Sequence, residues 1–160
     1  GGSTSSRDRW KTAMRKTVLP ALNAFKPDLI LISAGFDGHK KDDVNCGYLN
    51  LVEEDYEWIT RHIMRVSNTH CEGRVVSVLE GGYRVQGGCV SAFARSVASH
   101  VHALSFGGAS SEGYDEEDLR WEEQYDEWLA QERERKYHTP SSTTLLVLFF
   151  HVRIYIWYLQ

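Results

Sequence analysis

Two residues in this sequence stand where side chains can do chemistry. Asp37 ends the stretch "PDLILISAGFD", just past the apolar or small run from Leu29 to Ala34. Tyr83 ends "RVVSVLEGGY", after a second apolar run. Each follows glycine: Gly35 in the first stretch, Gly81 and Gly82 in the second. A carboxylate on such a mount has three uses. It is an oxygen ligand for Zn2+, at about 2.0–2.2 Å, a general base, or the cap of the following turn. Tyr83 either projects into the same region or simply packs, as most tyrosines at loop starts do. His39, in the "GHKKDD" charge run beside Asp37, reads as part of a solvated loop.

The elements that must position these residues follow from periodicity. Residues 7–25 read as a helix, with Ser6 a candidate N-cap and Trp10, Met14, Val18, Leu22 and Phe25 on one face. Pro20 inside that pattern should kink or break it. Residues 28–34 and 74–79 read as strands, each nearly continuous in apolar residues, which implies cover on both faces. Between them, after a loop over 35–52, residues 53–68 form a helix. Acids fill its first turn, and Tyr56, Ile59, Ile63 and Val66 form its apolar stripe. A third helix spans 88–105. Alternation of helix and strand implies a parallel sheet, and ligands of such sheets bind beyond the carboxyl ends of the strands. Asp37 and Tyr83 both lie there.

Composition narrows the class. The chain has 160 residues, enough for one domain with a real core, and a net charge of −4. Its basic residues are scattered, so no nucleic-acid stripe is present. Cys46, Cys71 and Cys89 form no close pair, which favours a reducing compartment, cytosol or nucleus. After the flexible lead 1–6 and the unit 7–106, residues 107–113 read as a linker. Residues 114–138 read as a charged amphipathic helix with Leu119, Tyr125, Trp128 and Leu129 as a partial stripe, folded back on its own domain. The apolar tail 139–160 contains "LLVLFFHVRIYIWYLQ". Fifteen helical residues reach only about 22 Å, so a membrane span is not expected. An added strand, an aggregation-prone tail, or a mis-predicted or read-through end all fit that tail better.

"PALNAFKPDLILISAGFDGHKKDD" followed by "VVSVLEGGY" resembles the zinc-dependent histone deacetylases, closest to their class II branch. Their fold is shared with acetylpolyamine deacetylases and arginases. The resemblance runs from about residue 7 to 105. It implies an α/β fold: the C-terminal half of a three-layer, parallel-sheet arginase/deacetylase-like domain, plus a C-terminal helix. It implies Zn2+ with Asp37 as a metal ligand, and Tyr83 as the catalytic hydroxyl donor to the scissile amide carbonyl. Gly81 and Gly82 would shape the channel for the acetyl-lysine stem. The implied partner is the acetylated lysine of a histone or another protein, in the nucleus or cytoplasm.

The family's other two zinc ligands, expected upstream of this stretch, and its tandem histidines find no match here: the one D-x-H, Asp37-Gly38-His39, begins with the candidate ligand Asp37 itself, and there is no H-H. The expectation is therefore a fragment, inactive alone, with an exposed sheet edge beside its two strands. His100 and His102 read as ordinary polar-face residues, and His62, His70 and His138 as exposed. Two other functions compete. One is a non-catalytic interaction module, binding protein partners through the sheet edge and residues 112–137. The other is a polyamine or small-amide deacetylase using the same Asp37 and Tyr83.

Overall fold

The apolar run after Pro27 forms β1 (Ile30–Ala34), and the run after Gly73 forms β2 (Val75–Leu79). The computed structural model describes residues 5–110, 112–136 and 154–156. In it the two strands pair in parallel, from Ile30 opposite Val75 to Ala34 opposite Leu79. The crossover helix is α3 (Glu53–Cys71). Its first-turn Asp55 is fully buried; the carboxylate accepts the Val52 N–H at 2.9 Å and Arg7 Nε–H at 2.7 Å. Tyr56, Ile63 and Val66 of α3 are buried as their spacing predicts. Glu72 and Gly73, both in the left-handed region, end the helix and turn the chain into β2.

The N-terminal helix departs from its predicted phase. It runs as α1 (Ser6–Ala13), a π-helical turn (Met14–Val18) and α2 (Leu19–Phe25), without the break that Pro20 predicts. Ser5, one residue earlier than expected, is the N-cap, accepting the Asp8 N–H at 3.1 Å. The buried face is Trp10, Met14, Leu19 and Leu22. In a regular helix Leu19 would sit about 140° round from Met14, at about 100° per residue. The wider π turn, closed by the Leu19 N–H on the Met14 carbonyl, restores the phase. It also accommodates Pro20, which has no N–H to give. Val18 is therefore only partly buried and Phe25 is exposed.

The core lies between this helix, α3 and one face of the sheet. Ile30, Ile32 and Ala34 are buried on that face, together with Phe36 and Leu51 from the loop that follows. The register puts Leu31, Ser33, Val76 and Val78 on the opposite face, where Val76 and Val78 are exposed. Among the described residues only one face is covered, so a continuous apolar run did not here mean two. The second edge of β1 carries β3 (Ile154–Ile156), antiparallel, with Ile30 opposite Ile156. One of the two edges is thus paired, while β2 remains an edge strand among the described residues; the rest of the tail 139–160 lies outside the described residues.

Helix α4 (Ala92–Ala109) begins four residues later than predicted, because Gly87 and Gly88 hold positive φ and Ser91 caps the helix by accepting the Ala94 N–H at 3.1 Å. Asn68 ties the segment after it to α3, donating to the carbonyls of Gly107 at 2.9 Å and Ser110 at 3.0 Å. Helix α5 (Glu116–Lys136) then folds back. Leu119 enters the core, while Tyr125 and Trp128 of its predicted stripe are exposed and stack in series with Trp121. The contacts are mostly polar. Trp58 Nε1–H donates to Glu122 at 2.7 Å, His62 Nε2 lies 3.2 Å from the same carboxylate, and Arg15 pairs with Asp126 at 2.7 Å. His62 is therefore buried, contrary to its predicted exposure. Among the described residues no helix is long and apolar enough to cross a membrane.

Burial raises the Glu122 carboxyl, but its bonds from His62 and Trp58 and the nearby Arg15 outweigh that and hold it at about 2. Glu122→Ala leaves the Trp58 N–H without its partner and should cost about 1–3 kcal/mol in urea unfolding. Because the folded value is depressed, Glu122's contribution is complete above the ordinary 4.5 and is lost as pH falls toward 2. That acid-sensitive component should be missing from the variant.

Candidate active site

The parallel ladder does not stop where the strands do. The Glu80 N–H donates to the Ala34 carbonyl at 3.0 Å, and the Phe36 N–H donates to the Gly81 carbonyl at 2.8 Å. These bonds carry the pairing into both loops, so Asp37 and the Gly81–Gly82 turn meet side by side. A Cβ on Gly81 would lie 2.9 Å from Asp37 Oδ1 and 3.1 Å from its Cγ. The absent side chain is the space the carboxylate occupies. Gly82 has φ +129°, and a Cβ there would lie 2.4 Å from the Phe93 ring. That turn delivers Tyr83, whose side chain is 61% exposed.

Beneath Asp37 the turn is braced. Buried Tyr56 donates its hydroxyl to the Phe36 carbonyl at 3.1 Å. Burial and the nearby Asp37 charge push its phenol up, so it stays neutral. Asp37 is half-buried at a cavity of about 360 Å3, and is the only acid among its lining residues. Ile32, Tyr48, Leu49, Ile63 and His100 also line it, whereas Tyr83 does not.

Asp37, Gly81, Gly82 and Tyr83 thus share one end of the sheet. The histidines behave differently from their predicted roles. His39 is fully buried, not solvated: Nδ1 accepts the Lys41 N–H at 3.0 Å, and Nε2 faces Glu53 at 3.3 Å. Burial raises the Glu53 carboxyl, but its own backbone N–H, Arg95 and His39 outweigh that and hold it at about 2. His100 is buried too, while His102 is exposed. Thr60 Oγ1 donates its one proton to the Tyr56 carbonyl at 2.6 Å, so it accepts from His100 Nδ1–H at 2.7 Å. That leaves Nε2 to accept from Ser77 Oγ at 2.8 Å. Burial lowers the His100 pKa, and the neutral ring joins α3, α4 and β2. His70 is half-buried, with Nε2 2.8 Å from Asn23 Oδ1. His138 lies outside the described residues.

One residue escaped the sequence reading altogether. Asp42, inside the same charge run, is buried, and its Oδ2 accepts the N–H groups of Tyr83 at 2.7 Å and Arg84 at 3.0 Å. Its Oδ1 caps the short 3-10 turn Asp43–Asn45, accepting the Val44 N–H at 3.0 Å. A local cap of this kind is open to either Asp42 or Asp43 in the sequence, so the pattern does not single out the acid that turns inward.

Among the described residues no three His, Cys, Asp or Glu side chains converge to hold a metal ion. Catalytic zinc sites typically use three protein ligands. A single carboxylate, Asp37, does not make such a site, and among the described residues no further donors join it.

Parallel strands joined by a crossover helix, with glycine turns meeting at their carboxyl ends, make an α/β fold. A crystal structure of the HDA15 HD domain shares this fold, with a TM-score of 0.50 and 23% identity, over 87% of this chain and 37% of that one. The sequence model of the histone deacetylase domain matches residues 3–104, and the chain belongs to that family. It is 49% identical over 87 residues to type-2 histone deacetylase 2 of Dictyostelium discoideum, covering 54% of this chain and 5% of that protein. It is 34% identical over 94 residues to the chloroplastic histone deacetylase 14 of Arabidopsis thaliana, covering 59% and 21%. The chain spans only a small part of the length of either relative.

Gly82→Ala combines a clash with Phe93 and an unfavourable φ, and should destabilise the fold by about 1–3 kcal/mol in chemical denaturation. Gly81→Ala should displace the Asp37 carboxylate while leaving the strand pairing intact. Side-chain carboxyl NMR shifts against β1 amide shifts check this.

Proposed function

We propose that this segment supplies two working groups of a lysine deacetylase centre: Asp37 as an oxygen ligand to Zn2+, and Tyr83 as the hydroxyl donor to the acetyl amide. The observation that carries this reading is the continued ladder, which brings the carboxylate against the Gly81 backbone and the tyrosine one residue beyond the turn. Zinc, when bound, supplies Lewis acidity and an acidified water; its remaining protein donors lie beyond the described residues. Asp37 holds its vertex without a conformational search, because Gly35 and Gly81 wall its carboxylate in. Tyr83 donates to the amide oxygen as negative charge develops there, a contribution that grows toward the transition state. Gly81 and Gly82, whose missing side chains make room for Asp37 and the Phe93 ring, present backbone to the acetylated lysine of a histone or another protein.

One observation favours a second reading, a protein-interaction role for 112–137. Trp121, Tyr125 and Trp128 are exposed and stacked along α5, a surface that no catalytic reading uses.

The test uses the full-length protein and an acetyl-lysine peptide. Tyr83→Phe should retain stoichiometric zinc by elemental analysis and lose about 10²–10³ in turnover. Asp37→Ala should lose the metal and the activity together. Full metal and activity in Asp37→Ala would reject the ligand assignment.

A further inference from the structure

The Tyr83 ring is mostly exposed, so packing does not aim it. Its direction must come from its backbone. The ladder reaches the Gly81 carbonyl and ends there. Gly82 then adds a hinge with a conformation few residues share. Past that hinge, two consecutive N–H groups, of Tyr83 and Arg84, converge on the single Oδ2 of Asp42. Two donors on one oxygen fix the peptide plane between them, and with it the Cα–Cβ direction of Tyr83.

The acceptor is itself held. Asp42 is 4% exposed, its other oxygen is taken by the Val44 N–H, and its own N–H donates to the His39 carbonyl at 2.8 Å. Burial makes such bonds to a carboxylate stronger than their exposed counterparts. By contrast, the Arg84–Asp43 pair across the same gap is 3.3 Å long with Asp43 almost fully exposed, and contributes little.

We propose that Asp42 is the positioning residue for Tyr83: it orients the phenol that the deacetylase reading makes the hydroxyl donor, and the inference rests on that reading. The loop that begins at Asp37 thus contributes twice, once through its own carboxylate and once by aiming the tyrosine of the other loop.

The test is a double-mutant cycle in the full-length protein. Asp42→Ala should lower kcat by about ten- to a hundredfold, with zinc content unchanged and KM moved much less. Combined with Tyr83→Phe it should add almost nothing, because its effect passes through the hydroxyl. Asp42→Asn keeps the Val44 cap and should fall between. Amide hydrogen exchange reports the fold independently: Tyr83 and Arg84 should lose protection in Asp42→Ala while the β1 amides keep theirs. Turnover within twofold of wild type, or losses that multiply in the double variant, would overturn the proposal. Full turnover in Tyr83→Phe alone overturns the donor assignment itself and the proposal with it, an outcome distinct from the other two.

Discussion

Two hydrogen bonds beyond the ends of the strands hold the functional end of this molecule together. Ala34 to Glu80 and Phe36 to Gly81 extend a parallel register into segments that would otherwise be independent loops. Everything at the site inherits its position from them. Asp37 lies one residue past the last rung, and Tyr83 two residues past it on the other side. Because the rungs bring backbones close, only glycine leaves room for the carboxylate at 81. The glycines and the aspartate are thus one feature, a charged group set in a gap left by a missing side chain.

A second group of contacts prepares that end from below. Tyr56 fastens the Phe36 carbonyl, and His100 links Thr60 to Ser77. His39 sits between the Lys41 N–H and Glu53. The loop from Gly38 to Leu51 is therefore ordered around buried His39, Asp42 and Asn45, while Lys40, Lys41, Val44 and Tyr48 stay exposed. It pairs back on itself, with Lys40 donating to the Leu51 carbonyl at 2.9 Å and Leu51 to the Gly38 carbonyl at 3.1 Å.

Much of this was legible in the residues. Apolar runs ending in glycine marked both strands and pointed to Asp37 and Tyr83, and the period of α3 gave its buried face. What escaped had identifiable causes. The phase of the first helix was misread after Met14 because periodicity assumes a constant turn, and the π segment adds a residue. His39, His62 and His100 read as solvated, exposed or polar-face groups because their partners Glu53, Glu122, Thr60 and Ser77 are distant or unremarkable in sequence. Asp42 was hidden among neighbouring charges, since nothing in "KKDD" says which acid turns inward. The open face at Val76 and Val78 was missed because a strand's composition does not count the layers above it.

The two halves of the structure are fastened by different forces. The Asp37–Tyr83 junction is held by main-chain bonds and buried groups, which dissolved ions barely reach. The attachment of α5 depends on Arg15, Lys11 and Lys16 facing Glu122, Glu123 and Asp126, with Leu119 its one deeply buried apolar anchor. Raising ionic strength shortens the reach of such charges to about 3 Å at 1 M. Concentrated salt therefore weakens the more exposed pairs under the aromatic helix, such as Lys16–Glu123, while leaving the Asp37 and Tyr83 loops in register, so the two surfaces respond differently to the same solvent.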